Sequence, residues 1–249
     1  MMDKSPKSER PVEVFDYDNI PIGYYDRVFA KGSGIQSYWH HNKFIEVKNK
    51  LRQYQVNSVL DIACGPGTFL GNYCQEFNCM GVDVAEGQIK YANERYASKS
   101  CKFVPWKAHD SRLSSEWDAV TLIEFIEHIS QSETSDTLSV VCKKLSSSGV
   151  IVITTPNYKS AWPLLEWLIY RFAKGLRYDQ QHVTRWKKDE LNRFLARQNF
   201  EVLEMHGIVG LAPFFAPLSW RLAKIVERVE RRLVRRWGFL ILAVIRPRV

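Results

Sequence analysis

The chain has 249 residues, of which 45% are hydrophobic and 25% are charged. This composition predicts one sizeable hydrophobic core and excludes disorder on a large scale. The five cysteines are odd in number and form no Cys-x-x-Cys pair, so we expect reduced thiols in a cytoplasmic protein and no disulfide scaffold. The polar amino terminus does not have the pattern of a signal peptide.

The formal charge of +8 is distributed unevenly. Residues 1–157 hold 17 Lys and Arg against 19 Asp and Glu, a net charge of −2, whereas residues 158–249 hold 18 against 8, a net charge of +10. A basic surface favours anionic partners such as membrane headgroups, nucleic acid or phosphorylated substrates. We therefore expect such contacts in the second part of the chain.

Short apolar runs alternate with helical patterns after a polar arm. Strands are predicted at residues 57–62, 79–84, 102–104, 119–123, 150–154, 200–205 and 238–245, and helices at about 38–54, 135–145 and 188–198. This alternation predicts an α/β fold, a mostly parallel sheet with helices on both faces. Ligands of such sheets bind outside the carboxyl ends of the strands.

A glycine-rich turn follows the first predicted strand. The strand ends near Asp61, and Gly65 and Gly67 form a turn where a ligand can approach bare backbone. Asp83 ends the next apolar run, 22 residues beyond Asp61, where a carboxylate can accept the hydroxyls of a ribose. Leu70 stands where the dinucleotide fingerprint has its third glycine, which argues against NAD.

Four motifs occur in a characteristic order along the chain. They are Asp61-Ile-Ala-Cys-Gly-Pro-Gly-Thr, Gly81-Val-Asp, Trp117-Asp-Ala-Val and Gly149-Val-Ile-Val-Ile-Thr-Thr-Pro-Asn. As a set they resemble the class I S-adenosylmethionine-dependent methyltransferases over roughly residues 40–206. The resemblance implies a Rossmann-like, seven-stranded sheet and S-adenosylmethionine as cofactor.

The resemblance also implies positions for cofactor-binding residues. These are Asp61, Ala63, Gly65, Gly67, Asp83 and Asp110. The glycine loop would pack under the methionine part of the cofactor, Asp83 would hold the ribose, and Asp110 would lie near the adenine. Residues 1–37 would cover the cofactor, so Tyr24 or Tyr25 of this segment, or Trp39 at the start of the next predicted helix, could contact it. The alternative is that these aromatics anchor an N-terminal helix to the sheet.

Acidic and imidazole side chains follow the fourth predicted strand. On a helical turn, Glu124, Glu127 and His128 would share one face, and His182 returns to the same sheet edge. This set resembles metal-dependent O-methyltransferases of the ubiquinone-pathway catechol type and of the small-RNA 2′-O type. The resemblance implies that the four side chains bind a divalent cation (Mg, Mn or Zn) that holds the acceptor hydroxyls, with Glu124, His128 and His182 in catalytic roles.

A metal-free interpretation of the same residues remains open. The Glu-His pair would then cap a helix or order the loop, and His128 or His182 would act as general base, because a neutral imidazole can take a hydroxyl proton near pH 7.

Two apolar helical segments lie in the basic part of the chain. Residues 158–181 are predicted to insert a helix that packs as a lid over the acceptor, lies on a membrane or fills the core. Residues 218–237 predict a helix with one apolar and one arginine-rich face. Its apolar face would rest on a membrane surface or pack on the sheet.

The resemblance implies a methyltransferase domain over residues 38–249 that methylates a hydroxyl on a small-molecule, lipid-linked, phenolic or glycan acceptor. We expect the protein to be cytoplasmic, either soluble or peripherally associated with a membrane through its basic segments. Methylation of RNA 2′-hydroxyls is an alternative that lacks a recognisable stacking platform. A second alternative is a cofactor-binding protein without turnover.

Overall fold

The computed structural model describes residues 20–105, 116–172 and 182–248, without the side chains of 168–172. Seven strands lie in these ranges: β1 (Ser58–Ile62), β2 (Asn78–Asp83), β3 (Cys101–Pro105), β4 (Trp117–Ile123), β5 (Leu145–Pro156), β6 (Phe200–Ile208) and β7 (Leu240–Pro247). The helices described are α1 (Tyr24–Ala30), α2 (Ile35–Gln53), α3 (Thr68–Tyr73), α4 (Glu86–Tyr96), α5 (Gln131–Cys142), α6 (Trp162–Phe172), α7 (Lys188–Arg197), α8 (Ala212–Phe215) and α9 (Trp220–Trp237).

The strands form one sheet in the order β3-β2-β1-β4-β5-β7-β6. Strands β1 to β5 pair in parallel, and β7 runs antiparallel to both β5 and β6. The predicted fold class is therefore confirmed. The order reverses direction between β1 and β4, which places a crevice at the carboxyl ends of these two strands.

Helices cover both faces of the sheet. In β1, Val59 faces the core formed with α2, α3 and α4, while Leu60 faces the core formed with α5 and α7. Both side chains are fully buried. Burial on two faces explains why the parallel strands are continuous apolar runs and do not alternate with polar residues.

Helix α1 is an element that the sequence patterns did not predict. Its buried Asp26 accepts hydrogen bonds from the Thr68 hydroxyl at 3.0 Å, the Tyr91 hydroxyl at 2.9 Å and the Tyr96 hydroxyl at 2.5 Å. The Arg95 guanidinium lies 2.8 Å from the same carboxylate. These contacts fix α1 to α3 and α4, beside the glycine loop.

Helix α9 lies between β6 and β7 in the chain and packs against β6 and α8. A side chain at Gly207 would place its Cβ 2.2 Å from the Val234 carbonyl oxygen, so a glycine is required for this close approach. None of the helices in the described ranges is long and apolar enough to span a membrane.

Replacing Asp26 with Ala should lower the free energy of unfolding by about 3 kcal/mol, because buried donors lose a charged acceptor. Hydrogen exchange should rise selectively in α1. Denaturant unfolding and exchange mass spectrometry measure the two effects. Glu94→Ala, an exposed change on α4, is the control; equal effects of both variants would contradict the role of Asp26.

Candidate active site

A cavity of about 700 Å³ opens at the carboxyl ends of β1, β2 and β4. Its volume lies in the range of roughly 300–1,000 Å³ that small-molecule sites occupy. The glycine loop and Asp83 of β2 contribute to its lining, and so do α2, α6 and the segment after β4. We call the first group the cofactor end and the second group the acceptor end. The first end corresponds to the predicted cofactor site and the second to the predicted acceptor site.

Asp61 lies at the carboxyl end of β1 and is almost completely buried. Its Oδ1 accepts a hydrogen bond of 2.6 Å from the Thr121 hydroxyl on the neighbouring β4. Burial raises the pKa of Asp61 to about 7, although the Thr121 hydrogen bond opposes the shift. Asp61 and Ala63 both line the cavity.

Asp83 ends β2 and also lines the cavity. Its carboxylate accepts hydrogen bonds from the Gly65 N–H at 2.8 Å and the Ala85 N–H at 2.9 Å. Burial raises the pKa of Asp83, and the backbone hydrogen bonds oppose this shift. The carboxylate thus connects the glycine loop to β2 while remaining at the cavity wall.

The two predicted glycines have different surroundings. Both are left-handed, with φ of 53° at Gly65 and 74° at Gly67. A Cβ at Gly65 would meet nothing within 4 Å, and this residue lines the cavity. A Cβ at Gly67 would lie 2.6 Å from the Phe103 ring and 3.0 Å from the Ala92 Cβ. Gly67 is not among the residues that line the cavity. A glycine is therefore needed at this position for the packing of the loop against Phe103 and Ala92.

The remaining predicted cofactor contacts divide between the described and undescribed parts of the chain. Tyr25 and Trp39 line the cavity, and Tyr24 is not part of its lining. Asp110 and the arm before residue 20 lie outside the described residues. The cofactor contacts of these two regions stay predictions.

The segment after β4 does not form the expected helical turn. Glu124 adopts a left-handed φ of 50°, and α5 begins only at Gln131. Ser130 caps this helix by accepting from the Glu133 N–H, while the Glu133 side chain accepts from the Ser130 N–H. The prediction of a shared helical face from Glu124 onward is therefore wrong, because this reciprocal cap fixes the start of the helix further along the chain.

Glu124 pairs with Lys43 of α2, whose side chain is 4% exposed. Burial alone would raise the pKa of Glu124, but Lys43 and His40 outweigh it and lower the pKa. Glu124 is thus an ionised carboxylate with its own buried cation. Lys43 was not predicted; it lies four residues after Trp39 and four before Val47 on the inward side of α2, and this spacing is the signal that could have identified it.

The other three predicted ligands come together. One potential ligand atom from each of Glu127, His128 and His182 lies within 4.8 Å of the others. Glu127 is 1% exposed and accepts a hydrogen bond of 2.9 Å from the Thr155 hydroxyl. Burial raises its pKa to about 8. Two imidazoles and one carboxylate fit a divalent cation, but the four-ligand set with Glu124 is not assembled.

His182 has a second, unpredicted partner. Its Nδ1 lies 2.7 Å from the Tyr158 hydroxyl and 3.1 Å from Glu166 Oε1. The Tyr158 hydroxyl donates to both oxygens of Glu166, at 3.0 and 3.3 Å. Burial favours the neutral acid, yet the bonds from His182 and Tyr158 lower the pKa of Glu166. With Nδ1 donating to this carboxylate, the His182 lone pair is on Nε2.

Glu166 is the only acidic residue in the apolar sequence of α6. A buried carboxylate in such a helix is rarely without a partner. The single acidic residue in an apolar helix is therefore the signal that could have identified Glu166 as part of the site. Glu166 and Trp162 of α6 both line the cavity. The ring of Trp162 lies 5.6 Å from that of Trp39 on α2, so α6 and α2 meet at the acceptor end.

A family model described as a methyltransferase domain matches residues 38–205. This match covers more than half of the chain, so the chain belongs to the methyltransferase-domain family. Together with the sheet order and the glycine loop, it identifies a class I S-adenosylmethionine-dependent methyltransferase.

Solved structures share this fold. Magnesium protoporphyrin IX methyltransferase from Synechocystis PCC 6803, with bound SAH, has a TM-score of 0.60 at 15% identity and covers 89% of this chain and 93% of its own. The PH0226 protein from Pyrococcus horikoshii OT3 has a TM-score of 0.60 at 21% identity over 90% and 98%. The methyltransferase domain of bacterial CtHen1 has a TM-score of 0.56 at 17% identity over 83% and 98%. At these identities the likeness shows the fold.

Among curated proteins, a sphingolipid C9-methyltransferase from Komagataella phaffii is 23% identical over 135 residues. The match covers 49% of this chain and 28% of that protein's length.

Two substitutions in the glycine loop test separately the packing role of Gly67 and the ligand-contact role of Gly65. Gly67→Ala should cost about 3 kcal/mol of stability, because the methyl group meets Phe103. Gly65→Ala should cost about 1 kcal/mol, since only the left-handed backbone is unfavourable, but its methyl enters the cavity and should weaken SAH binding at least tenfold. Thermal unfolding measures the stability of the two variants, and calorimetry measures their SAH affinity. Equal losses of stability and of affinity in the two variants would contradict the different roles of Gly65 and Gly67.

Cofactor affinity should depend on pH through Asp61. Its raised pKa of about 7 means that the free protein holds a proton there below pH 7. We expect the ionised carboxylate to contact the ammonium group of the cofactor, so this proton would have to leave before the cofactor binds. SAH affinity should fall by up to about tenfold per pH unit below pH 7. Calorimetry should show this slope in the wild type, whereas Asp61→Asn should bind weakly with little pH dependence. A slope that survives in Asp61→Asn would assign it to another group.

Proposed function

We propose that this methyltransferase transfers the methyl group of S-adenosylmethionine to a hydroxyl oxygen of an apolar, phenolic or lipid-linked acceptor, with His182 as the general base. The observation that carries the proposal is the pairing of His182 Nδ1 with the Glu166 carboxylate, 3.1 Å away in the cavity wall. The resemblance of the Glu124 to His128 segment to O-methyltransferases of the ubiquinone-pathway and small-RNA types supports transfer to oxygen and does not choose between their acceptors.

The chemistry requires little beyond alignment and one proton acceptor. The sulfonium methyl is already electrophilic, so the protein must hold the acceptor oxygen, methyl carbon and sulfur in line. A hydroxyl becomes a good nucleophile when its proton is removed as the bond forms. The Glu166 carboxylate orients the His182 ring and stabilises the imidazolium that results.

An apolar acceptor is supported by the lining of the second end of the cavity. The lining there includes Ile35, Trp39, Phe125, Trp162, Leu165 and Phe214. Aromatic and aliphatic walls with a few polar groups bind flat or chain-like apolar molecules. The name of the matched sphingolipid C9-methyltransferase supports a lipid acceptor and has no bearing on transfer to oxygen.

A metal-assisted version of the same transfer is supported by the convergence of Glu127, His128 and His182. A cation bound there would supply Lewis-acid activation and hold two neighbouring hydroxyls. Glu127, with its pKa of about 8, would have to release a proton, so cation affinity would rise with pH up to that value. This route predicts a preference for catechols, whereas the His182 base needs only one hydroxyl.

RNA remains an alternative acceptor because a 2′-hydroxyl needs the same base and the second part of the chain is basic. An RNA substrate would bind with strong salt dependence. Salt-insensitive, weak binding of oligoribonucleotides would remove this alternative.

Exchanging His182 for Ala should lower kcat by about 10²- to 10⁴-fold, and Glu166→Gln should lower it by about 10- to 100-fold. SAH affinity should not change in either variant, because both side chains lie at the acceptor end. Release of SAH with prenylated phenols and prenylated catechols measures turnover, in chelator-treated protein with and without Mg, Mn or Zn.

Turnover of single-hydroxyl phenols without metal, lost in His182→Ala, supports the base. Activity that needs both a metal and a catechol assigns the cluster around Glu127 to a cation. Unchanged kcat in His182→Ala, or turnover of amine or carbon acceptors alone, would contradict the proposal.

A further inference from the structure

Helix α9 presents three different faces. One face packs on the protein through Trp220, Ala223, Glu227, Glu230 and Val234. Ala223 is fully buried, the Trp220 ring contacts Tyr38, and Val234 approaches Gly207 and Gly210. Val226 also packs against the cluster that includes Ala223. The packed face therefore uses small, acidic and aromatic side chains and two valines, while the leucines and the isoleucine of the helix are exposed.

A stripe of apolar side chains on α9 is exposed to solvent. Leu222 is 37% exposed, Ile225 57%, Val229 79%, Leu233 67% and Trp237 58%. Spacings of three and four residues place them on one side of the helix. The sequence left open whether the apolar face of this helix packs on the protein. Val226 packs against the cluster that includes Ala223, whereas the five side chains of the stripe are exposed to solvent. Exposed apolar stripes of this kind mark interaction surfaces.

A basic flank runs beside this stripe. Its members are Arg221, Lys224, Arg228, Arg231, Arg232, Arg235 and Arg236, all exposed. The two acidic residues of α9 are turned toward the protein. Glu227 accepts a hydrogen bond from the Tyr38 hydroxyl, and Glu230 accepts from the backbone N–H groups of Leu211 and Ala212. With seven basic residues against two acidic ones, the free side of α9 is positively charged.

We propose that α9 docks on an anionic membrane surface, with its apolar stripe in the headgroup region and its arginines on lipid phosphates. A stripe of aliphatic residues ending in Trp237 and flanked by arginines matches the two layers of such a surface, apolar chains below and negative headgroups above. We infer a membrane as the partner of α9 because its negative headgroups complement the positive charge of the arginines.

Two other occupants fit less well. A second copy related by two-fold symmetry would place the same arginine flank on both sides of the interface. Nucleic acid would pair with the arginines but leave the exposed side chains of Ile225, Val229 and Leu233 in water. Of these three occupants, the anionic lipid surface is the one that contacts both the apolar stripe and the arginines.

Docking of α9 would also bring the cavity close to the membrane. Phe214 of α8, immediately before α9, lines the cavity, and its neighbours Leu211 and Leu218 are 55% and 78% exposed. This surface does not depend on the chemistry of the acceptor, so membrane binding can be tested without a known substrate.

The experiment is sedimentation of the full chain with vesicles made of equal parts of phosphatidylcholine and phosphatidylglycerol, compared with phosphatidylcholine alone. The wild type should bind the anionic vesicles and lose binding as salt rises. Arg228→Gln/Arg232→Gln/Arg236→Gln should reduce partitioning on the order of a hundredfold. Ile225→Ser/Val229→Ser/Leu233→Ser should reduce it at least about tenfold.

A matched control variant, Lys187→Gln/Arg193→Gln/Arg197→Gln, removes three exposed positive charges in and next to α7. This variant should bind anionic vesicles as well as the wild type does. SAH affinity and melting temperature should be the same in all variants, because every altered side chain is exposed. The proposal is overturned if the wild type does not bind anionic vesicles or if the apolar variant binds as well as the wild type. It is also overturned if the wild type forms a concentration-dependent dimer that the apolar variant abolishes.

Discussion

The site depends on how two adjacent parallel strands end. Asp61 of β1 is paired in register with Thr121 of β4 and accepts its hydroxyl hydrogen bond. Directly beyond this pair, Ala63 and Glu124 take left-handed backbone angles of 58° and 50°. The two segments therefore leave the sheet at the same level, and the crevice at the reversal of strand order opens between them. Left-handed non-glycine residues cost about 1–3 kcal/mol each, and the Asp61–Thr121 bond and the buried pair of Lys43 with Glu124 help to offset this cost.

Much of the fold could be predicted because the signals are local. Strands buried on both faces are continuous apolar runs, and their ends are marked by Asp61 and Asp83 followed by turns. The glycine loop is likewise readable, since Gly65 and Gly67 follow a strand directly. The mostly parallel sheet and the family could be predicted from the order of such motifs along the chain. These features need no knowledge of which distant segments meet.

The rest of the site depends on contacts between distant segments. Lys43 reaches Glu124 across 81 positions, and Glu166 reaches His182 across 16 positions from a helix whose sequence resembles ordinary core. The helical turn predicted after β4 was wrong for a different reason. Ser130 and Glu133 form a capping box that the sequence contains, and the local cap determines the helix start more strongly than the spacing of acidic residues does.

Three carboxyl groups share the acceptor end, and each is accommodated differently. Glu124 has Lys43, Glu166 has Tyr158 and His182, and Glu127 holds a proton at neutral pH because burial raises its pKa to about 8. The cation proposed for this cluster would therefore have to displace the proton of Glu127.

The location of Glu166 has a further consequence for catalysis. Glu166 is on α6, so its hydrogen bond to His182 requires that this helix packs against the cavity. Trp162 of the same helix packs against Trp39 at the acceptor end. In the proposed reaction, enclosure of the acceptor and orientation of the base would thus both depend on one helix. Such an arrangement would couple the exclusion of water to the assembly of the catalytic groups.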